Sequence, residues 1–213
     1  TANFGYVDVP TMMRAAVKGA PIVATGVLLQ TSPMSAMGFV EKNIKKPEDI
    51  KGKTVAITPA DSMTQIWPLF LKKTGLKESD FQTVAGDGQT KLNAVINGQA
   101  DLLLGYVMDQ SMKIKDATGK DVNAIKFADY GINMVCSGVV ANTEFVKANA
   151  DLVKRFMSAT TKAVEAAEKD AKGAAQAILD ANPKGGKIET LTKGFELTIP
   201  LYRTTETKSK RPF

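Results

Sequence analysis

The chain has 213 residues, of which 44% are hydrophobic, 23% charged and 7% aromatic. This mix is typical of a globular protein with room for one domain or two small lobes. The net charge of +6 comes mainly from lysines scattered along the chain, with few arginines to form a nucleic-acid surface, so we expect no nucleic-acid partner. No apolar run approaches the roughly 18 residues of a membrane span, so we expect no direct membrane insertion.

Histidine is absent, and the single cysteine is Cys136. This composition excludes a Cys/His zinc site, a histidine-based catalytic triad and an internal disulfide. Cys136 lies in the apolar run "NMVCSGVVAN" and is interpreted as a small buried hydrophobic residue. We therefore expect no catalytic residue, no metal site and no cofactor.

The first forty residues predict a strand, a helix and two further strands. The three strands are short apolar runs between turn residues: Phe4–Val7, Ile22–Leu28 and Ser35–Val40. The helix lies near Pro10–Lys18, with Asp8 or Thr11 as its N-cap and Gly19 at its end in a left-handed conformation.

The stretch "GKTVAITPADSMTQIWPLF" begins as a strand, breaks at a proline and small polar residues, and continues as a helix. The run "TVAI" is apolar throughout, as in a strand that is buried on both faces. The helix is expected from about Met63 to Thr74, with Gly75 at its end. A turn of this kind directs free N–H groups and the positive helix end toward one point, which favours a polar or negative ligand there.

The next segment repeats the alternation of strand and helix. The strands are "FQTVAG", Leu102–Leu104, Val122–Phe127 and "GVVAN". One helix is capped by Thr90 and ended by Gly98, and a second lies around Asp109–Lys115. After Thr143 the chain is helical, and its last helix, Ile188–Tyr202, is interrupted by Pro200. Strands that alternate with helices predict an α/β fold with a parallel sheet.

Residues 41–137 carry their own series of strands and helices, between the similar segments "SAMGFV" and "SGVVAN". We therefore predict two three-layer α/β/α lobes joined by two crossover strands: lobe 1 from residues 1–40 and 138–213, and lobe 2 from residues 41–137. In open α/β sheets, ligands bind beyond the carboxyl ends of the strands. The loops "TPADSMTQ", "GYVMDQ", "ADYGIN" and "GYVDVP" are expected to converge on a cleft between the lobes.

Ser62, Met63 and Thr64 lie where the helix after "TVAI" begins. Their hydroxyls and backbone N–H groups are candidates for binding the polar edge of a ligand, and simple capping of the helix is the alternative. Asp61 is a further candidate cap. Its charge would disfavour an anionic ligand and favour a neutral or cationic one.

Three aromatic residues are candidates for stacking on a planar ligand. Trp67 lies one turn into the same helix, where core packing is the alternative. Tyr106 and Tyr130 each follow a strand in a polar loop, and each offers a flat face and a hydroxyl, although surface packing explains them equally well.

Three carboxylates are candidates to accept hydrogen bonds from a ligand. For Asp109, the alternative to ligand binding is capping of its helix, and for Asp129 the alternative is shaping of a turn. Asp8 has the same two interpretations in the predicted lobe 1.

Four segments together resemble the solute-binding proteins of ABC transporters, in the group that handles nitrate, sulfonates, taurine and thiamine-pyrimidine precursors. They are "DVPTMMRAAVKGAPIVATG", "KPEDIKGKTVAITPADS", "LNAVINGQADLLLGYVMDQ" and "FADYGINMVCSGVVANTEFVKANADLVKRFMSAT". The resemblance covers roughly residues 1–183, and "FADYG" is most similar to the pyrimidine-precursor branch. Members have a further strand, helix and strand before "ANFGY" and more chain after "KRPF", so the resemblance implies truncation at both ends.

The resemblance implies a two-lobe type II periplasmic-binding fold that closes on a small molecule and delivers it to a membrane permease. It also implies a monomer outside the cytoplasm. The printed chain begins at Thr1, without an initiator methionine or a basic-then-apolar leader, as expected of a processed or excised piece.

Two other functions remain open from the sequence. The same fold includes a pyrimidine-precursor synthase, an enzyme that the resemblance links to histidine and cysteine residues which this chain lacks. A sensor input module would have the same cleft and a different partner.

Overall fold

A computed structural model describes residues 2–211 of the chain. The chain divides into two compact units, which are described separately. The first joins the segment up to Thr31 with the segment from Met134 onward, and the second is Ser32–Asn133. Residues 1, 212 and 213, at the ends of the predicted lobe 1, lie outside the described residues.

The strands are β1 (Phe4–Asp8), β2 (Ile22–Leu29), β3 (Met34–Phe39), β4 (Thr54–Ile57), β5 (Gln82–Ala85), β6 (Leu102–Tyr106), β7 (Val122–Lys126) and β8 (Ser137–Asn142). The helices are α1 (Val9–Val17), α2 (Ser62–Thr74), α3 (Gly88–Ile96), α4 (Val107–Thr118), α5 (Thr143–Ala148), α6 (Ala150–Lys169), α7 (Ala171–Ala181) and α8 (Ile188–Thr198). Short 3-10 helices include Pro47–Ile50, Phe127–Tyr130 and Ile199–Leu201.

The second unit contains a five-stranded sheet in the order β5-β4-β6-β3-β7. β4 is parallel to both of its neighbours, whereas β3 is antiparallel to both β6 and β7. The carboxyl ends of β5, β4 and β6 therefore meet at one edge of the sheet, where α3 and α2 follow after short polar loops and α4 follows β6 directly.

Side chains on the two faces of this sheet pack against different helices. Ala56 and Leu103 form a core with residues of α3 and α4, among them Val95 and Ile114. Because side chains alternate along a strand, Val55 of β4 and Leu102 of β6 point to the opposite face, where α2 packs against β6. The result is a three-layer arrangement within this unit.

The helices of the second unit begin and end at local sequence signals. Asp61 caps α2 and Asp87 caps α3, each through a carboxylate that accepts from the N–H three residues later. Gly75 ends α2 in the left-handed conformation, as predicted. The predicted cap of α3 was wrong, because Thr90 supplies the N–H that Asp87 binds.

The first unit contains a three-stranded antiparallel sheet in the order β1-β8-β2. Phe4 of β1 stacks on Phe156 of α6 with ring centroids 4.1 Å apart, and meets Phe145 of α5 edge-on at 5.5 Å. These ring contacts join the sheet to its helices. α6, α7 and α8 follow in succession; α6 packs against α7, and α7 packs against α8.

Two expectations from the sequence need correction. The sheets are not purely parallel, because β3 and the whole of the first unit pair antiparallel. The predicted boundaries at residues 40/41 and 137/138 also differ from the observed ones. β3, assigned to lobe 1, pairs with β6 and β7 and so belongs to the second unit, and the segment 134–137 belongs to the first.

Candidate functional site

The turn from β4 to α2 is held by its own side chains. The Thr64 hydroxyl donates to the carbonyl oxygens of Thr58 and Asp61, at 3.2 and 3.0 Å. The Asp61 Oδ1 accepts from the Thr64 N–H at 2.8 Å. Ala60 has φ 63°, a left-handed conformation that costs a non-glycine residue about 1 kcal/mol or more. A turn held in this way presents the amino end of α2 in one defined geometry.

A tyrosine from the adjacent strand reaches this helix end. The hydroxyl of Tyr106, the last residue of β6, lies 3.5 Å from the Ser62 hydroxyl at the start of α2. The Tyr106 N–H donates to the Gln110 Oε1 at 2.7 Å, and Gly105 leaves the space that the Gln110 side chain occupies. The structure thus brings two predicted site residues together, beside a positive helix end.

A lysine that the sequence interpretation treated as surface also lies here. Lys91 of α3 is only 5% exposed, and its Nζ is 3.5 Å from the Asp61 Oδ2. The Gly86 N–H donates to the Ile57 carbonyl at 3.0 Å, which joins the segment that leads into α3 to the end of β4, just before the turn that carries Asp61. Lys91 lies four residues before the buried Val95 and therefore on the same face of α3. This spacing was the signal in the sequence that could have predicted the burial of Lys91.

The other residues predicted in α2 are part of the core. Met63 is 3% exposed. Trp67 stacks on Phe70 and Phe127, with ring centroids 5.1 and 5.7 Å apart, and meets Phe81 edge-on at 5.6 Å. Core contacts therefore surround the indole, as the packing alternative predicts.

Tyr130 lies at the end of the 3-10 helix Phe127–Tyr130 and packs against a different part of α2. Its ring meets Phe70 edge-on with centroids 5.7 Å apart, and Phe70 is eight residues beyond Ser62, about 12 Å along the helix axis. Burial raises the pKa of the Tyr130 hydroxyl, and the nearby carboxylates of Glu48 and Asp129 act in the same direction. The structure does not place Tyr130, or the exposed Asp129, beside the hydroxyl pair of Ser62 and Tyr106.

The two remaining predicted carboxylates already have partners. The Asp109 carboxylate forms an ion pair with Lys113 at 2.9 Å, one turn along α4, and accepts from the Gln110 Nε2 at 2.7 Å. In the first unit, the Asp8 Oδ1 caps α1 by accepting from the Thr11 N–H at 2.8 Å. Their roles in ligand binding stay predictions.

A cavity of about 540 Å³ lies in the first unit, among α6, α7 and α8. Its wall is mainly alanine, with Ile178 and Phe195. The predicted site residues, all of which are described, do not line it. Its polar lining side chains are Thr160, Asp170 and Tyr202, and the Asp170 carboxylate is already used to cap α7.

Within residues 2–211, no cluster of three or more acidic, cysteine or histidine side chains is placed to hold a metal ion. No helix in the same range has both the length and the apolar character needed to cross a bilayer.

The comparison with curated proteins gives a riboflavin-binding protein, RibY of Chloroflexus aurantiacus. It is 24% identical over 154 residues, which are 71% of this chain and 43% of RibY. This chain therefore spans less than half the length of that relative.

Solved structures with the same fold include two sulfonate-binding proteins. The periplasmic aliphatic sulphonate binding protein SsuA of Escherichia coli gives a TM-score of 0.76 at 17% identity, over 92% of this chain and 65% of that one. The alkanesulfonate-binding SsuA of Xanthomonas axonopodis pv. citri, bound to MOPS, gives 0.71 at 17% identity, over 92% and 66%. At these identities the likeness shows the fold alone, which is the type II periplasmic-binding fold.

The sequence profile described as NMT1/THI5 like matches residues 1–174. Because this match covers well over half of the 213 residues, the chain belongs to the NMT1/THI5-like family.

Proposed function

We propose that this chain acts as the solute-binding component of an ABC importer and binds a small molecule at the amino end of α2. The observation that carries the proposal is the pair of hydroxyls of Ser62 and Tyr106, 3.5 Å apart at that helix end. A hydroxyl pair beside the positive amino end of a helix binds a polar group such as a sulfonate, a carboxylate or the carbonyl edge of a heterocycle.

The ligand classes follow from the relatives and from the sequence. The solved relatives bind sulfonates and the curated relative binds riboflavin, according to their names. Nitrate, taurine and pyrimidine precursors complete the set implied by the resemblance. The protein works outside the cytoplasm, delivers its ligand to a membrane permease and carries out no reaction of its own.

A thermal-shift screen with the whole protein tests this function. The panel contains methanesulfonate, taurine, nitrate, riboflavin and a 4-aminopyrimidine, in a buffer free of sulfonates. A ligand at a hundred times its dissociation constant stabilises the native state by about 2.7 kcal/mol, which raises the melting temperature by several degrees. A cooperatively melting sample that responds to no member of the panel would contradict the proposal.

Two substitutions then locate the site. Ser62→Ala and Tyr106→Phe each remove one hydroxyl with little change of shape. Ser79→Ala is the matched control, since Ser79 is exposed in the same unit and lies beyond the carboxyl end of α2, opposite the end at which Ser62 begins the helix. We expect the thermal shift to fall in the first two variants and to persist in the control.

A further inference from the structure

Lys91 is a buried cation, unlike the other paired lysines among the described residues. Its side chain is 5% exposed, whereas the lysines of the other ion pairs are 39–68% exposed. Burying an ammonium costs free energy that a surface position would avoid. Its burial beside the amino end of α2 therefore calls for an explanation at that site.

The two oxygens of Asp61 have different partners. Oδ1 caps α2 by accepting from the N–H and the hydroxyl of Thr64, at 2.8 and 3.1 Å. Oδ2 faces the Lys91 ammonium at 3.5 Å. One carboxylate thus joins the helix end to the buried cation, and Lys91 balances its charge.

Lys91 keeps capacity to bind a further group. An ammonium has three donors, and 3.5 Å is at the outer limit of a hydrogen bond. In the same turn the Thr58 Oγ1 is buried and has no hydrogen-bond partner among the described residues. A nearly buried ammonium and an unpartnered hydroxyl beside one helix end are a second sign, independent of the helix itself, that a polar group binds there.

We propose that Lys91 determines the charge preference of the α2 site, so that the site takes a ligand with an anionic group such as a sulfonate, carboxylate or phosphate. The proposal rests on the proposed function of this site. With Lys91 in place, the Asp61 charge is neutralised, and the positive end of α2 determines the local potential. Without Lys91, the Asp61 carboxylate would repel an anion. While Lys91 is in place, the Asp61 carboxylate therefore does not disfavour an anionic ligand, in contrast to the expectation from Asp61 alone.

A double-mutant cycle on Lys91 and Asp61 tests the proposal in the whole protein. Binding of methanesulfonate, an anion, and riboflavin, a neutral molecule, is measured by calorimetry in wild type, Lys91→Met, Asp61→Asn and the double variant. Asparagine caps a helix as well as aspartate does, so Asp61→Asn removes the charge and keeps the cap. Lys115→Met is the matched control, because Lys115 is exposed in the same unit and paired with Asp121.

We expect Lys91→Met to weaken methanesulfonate binding at least tenfold and Asp61→Asn to strengthen it about twofold to tenfold. The double variant should return close to wild type, and Lys115→Met should match wild type. A purely structural role for Lys91 does not predict opposite signs for the two single variants. Asp61→Asn also keeps the test decisive if Lys91→Met fails to fold.

The possible failures are distinguishable. Binding of riboflavin without any binding of methanesulfonate would overturn the role of Lys91 and leave the solute-binding function in place. Methanesulfonate binding that is unchanged in Lys91→Met, or weakened in Asp61→Asn, would also overturn it. Binding of neither probe, and of no other member of the panel, would overturn both proposals.

Discussion

The Ser62 hydroxyl lies 3.5 Å from the Tyr106 hydroxyl, although the two residues are 44 positions apart in the chain. Their proximity follows from the sheet order, because β4 and β6 are parallel neighbours whose carboxyl ends lie at one edge. α2 begins after β4, and Tyr106 ends β6. The fold itself therefore places the hydroxyl of the last residue of β6 beside the hydroxyl of the first residue of α2.

Removing either hydroxyl should weaken ligand binding without loss of fold. We expect Ser62→Ala and Tyr106→Phe each to cost about 1 kcal/mol of binding free energy, roughly a fivefold rise in dissociation constant. Calorimetry with the best ligand of the panel measures this change. Affinities equal to that of Ser79→Ala would remove the hydroxyl pair from the site.

Tyr130 gives a test of the sequence-based site. The sequence predicts that Tyr130→Ala weakens binding by more than about 1 kcal/mol, whereas the edge contact with Phe70 favours a packing role. We expect Tyr130→Ala to lower the free energy of unfolding by about 1 kcal/mol or more while ligand affinity stays within twofold. A loss of affinity comparable to that of Tyr106→Phe would return Tyr130 to the site.

Gly38 should be intolerant of any side chain. A Cβ there would lie 2.5 Å from the Asp101 carbonyl oxygen, which is backbone and cannot move aside. We expect Gly38→Ala to reduce stability by about 1–3 kcal/mol in urea denaturation. Gly88→Ala is the control, since nothing lies within 4 Å of its added Cβ, and it should be neutral or slightly stabilising. Equal midpoints for the two variants would contradict the close approach at β3.

Alkaline pH should destabilise the protein through Tyr202. Burial raises the pKa of Tyr202 to about 12, and the neighbouring Tyr6 and Glu168 add to the effect. The unfolded chain loses this proton near pH 10, so between about pH 10 and 12 it binds fewer protons than the native state and stability falls. The contribution is fully present below pH 10.

Tyr202→Phe removes this titration. We expect the urea midpoint of the variant to fall less than that of wild type between pH 9 and 11. Parallel declines would show that Tyr202 does not contribute to the alkaline loss of stability.

Local signals allowed much of the chain to be predicted. The apolar run of β4 and the left-handed glycines at positions 19, 75 and 98 come from short-range chemistry, and the structure has all of them. The partner of β3 could not be predicted in this way. Its apolar run "SAMGFV" indicates that β3 is buried, but no local sequence signal determines which of the two sheets it joins.

The residues of the candidate site also differ in whether a local sequence signal reveals them. Ser62 was predicted because a helix start is visible in the sequence, and Tyr106 because it follows a strand. Lys91 was missed because a lysine taken alone is expected on the surface, and its partner Asp61 lies 30 residues away in the chain. For Tyr130 the sequence left ligand contact and packing equally open, because a loop after a strand does not reveal which way its ring packs.

The most direct test of the account is calorimetric titration of wild type and of the Ser62→Ala/Tyr106→Phe double variant with methanesulfonate and riboflavin. The account predicts saturable binding of one ligand per chain in wild type, weakened at least tenfold in the double variant. Binding of equal strength in both proteins would contradict a ligand site at the amino end of α2.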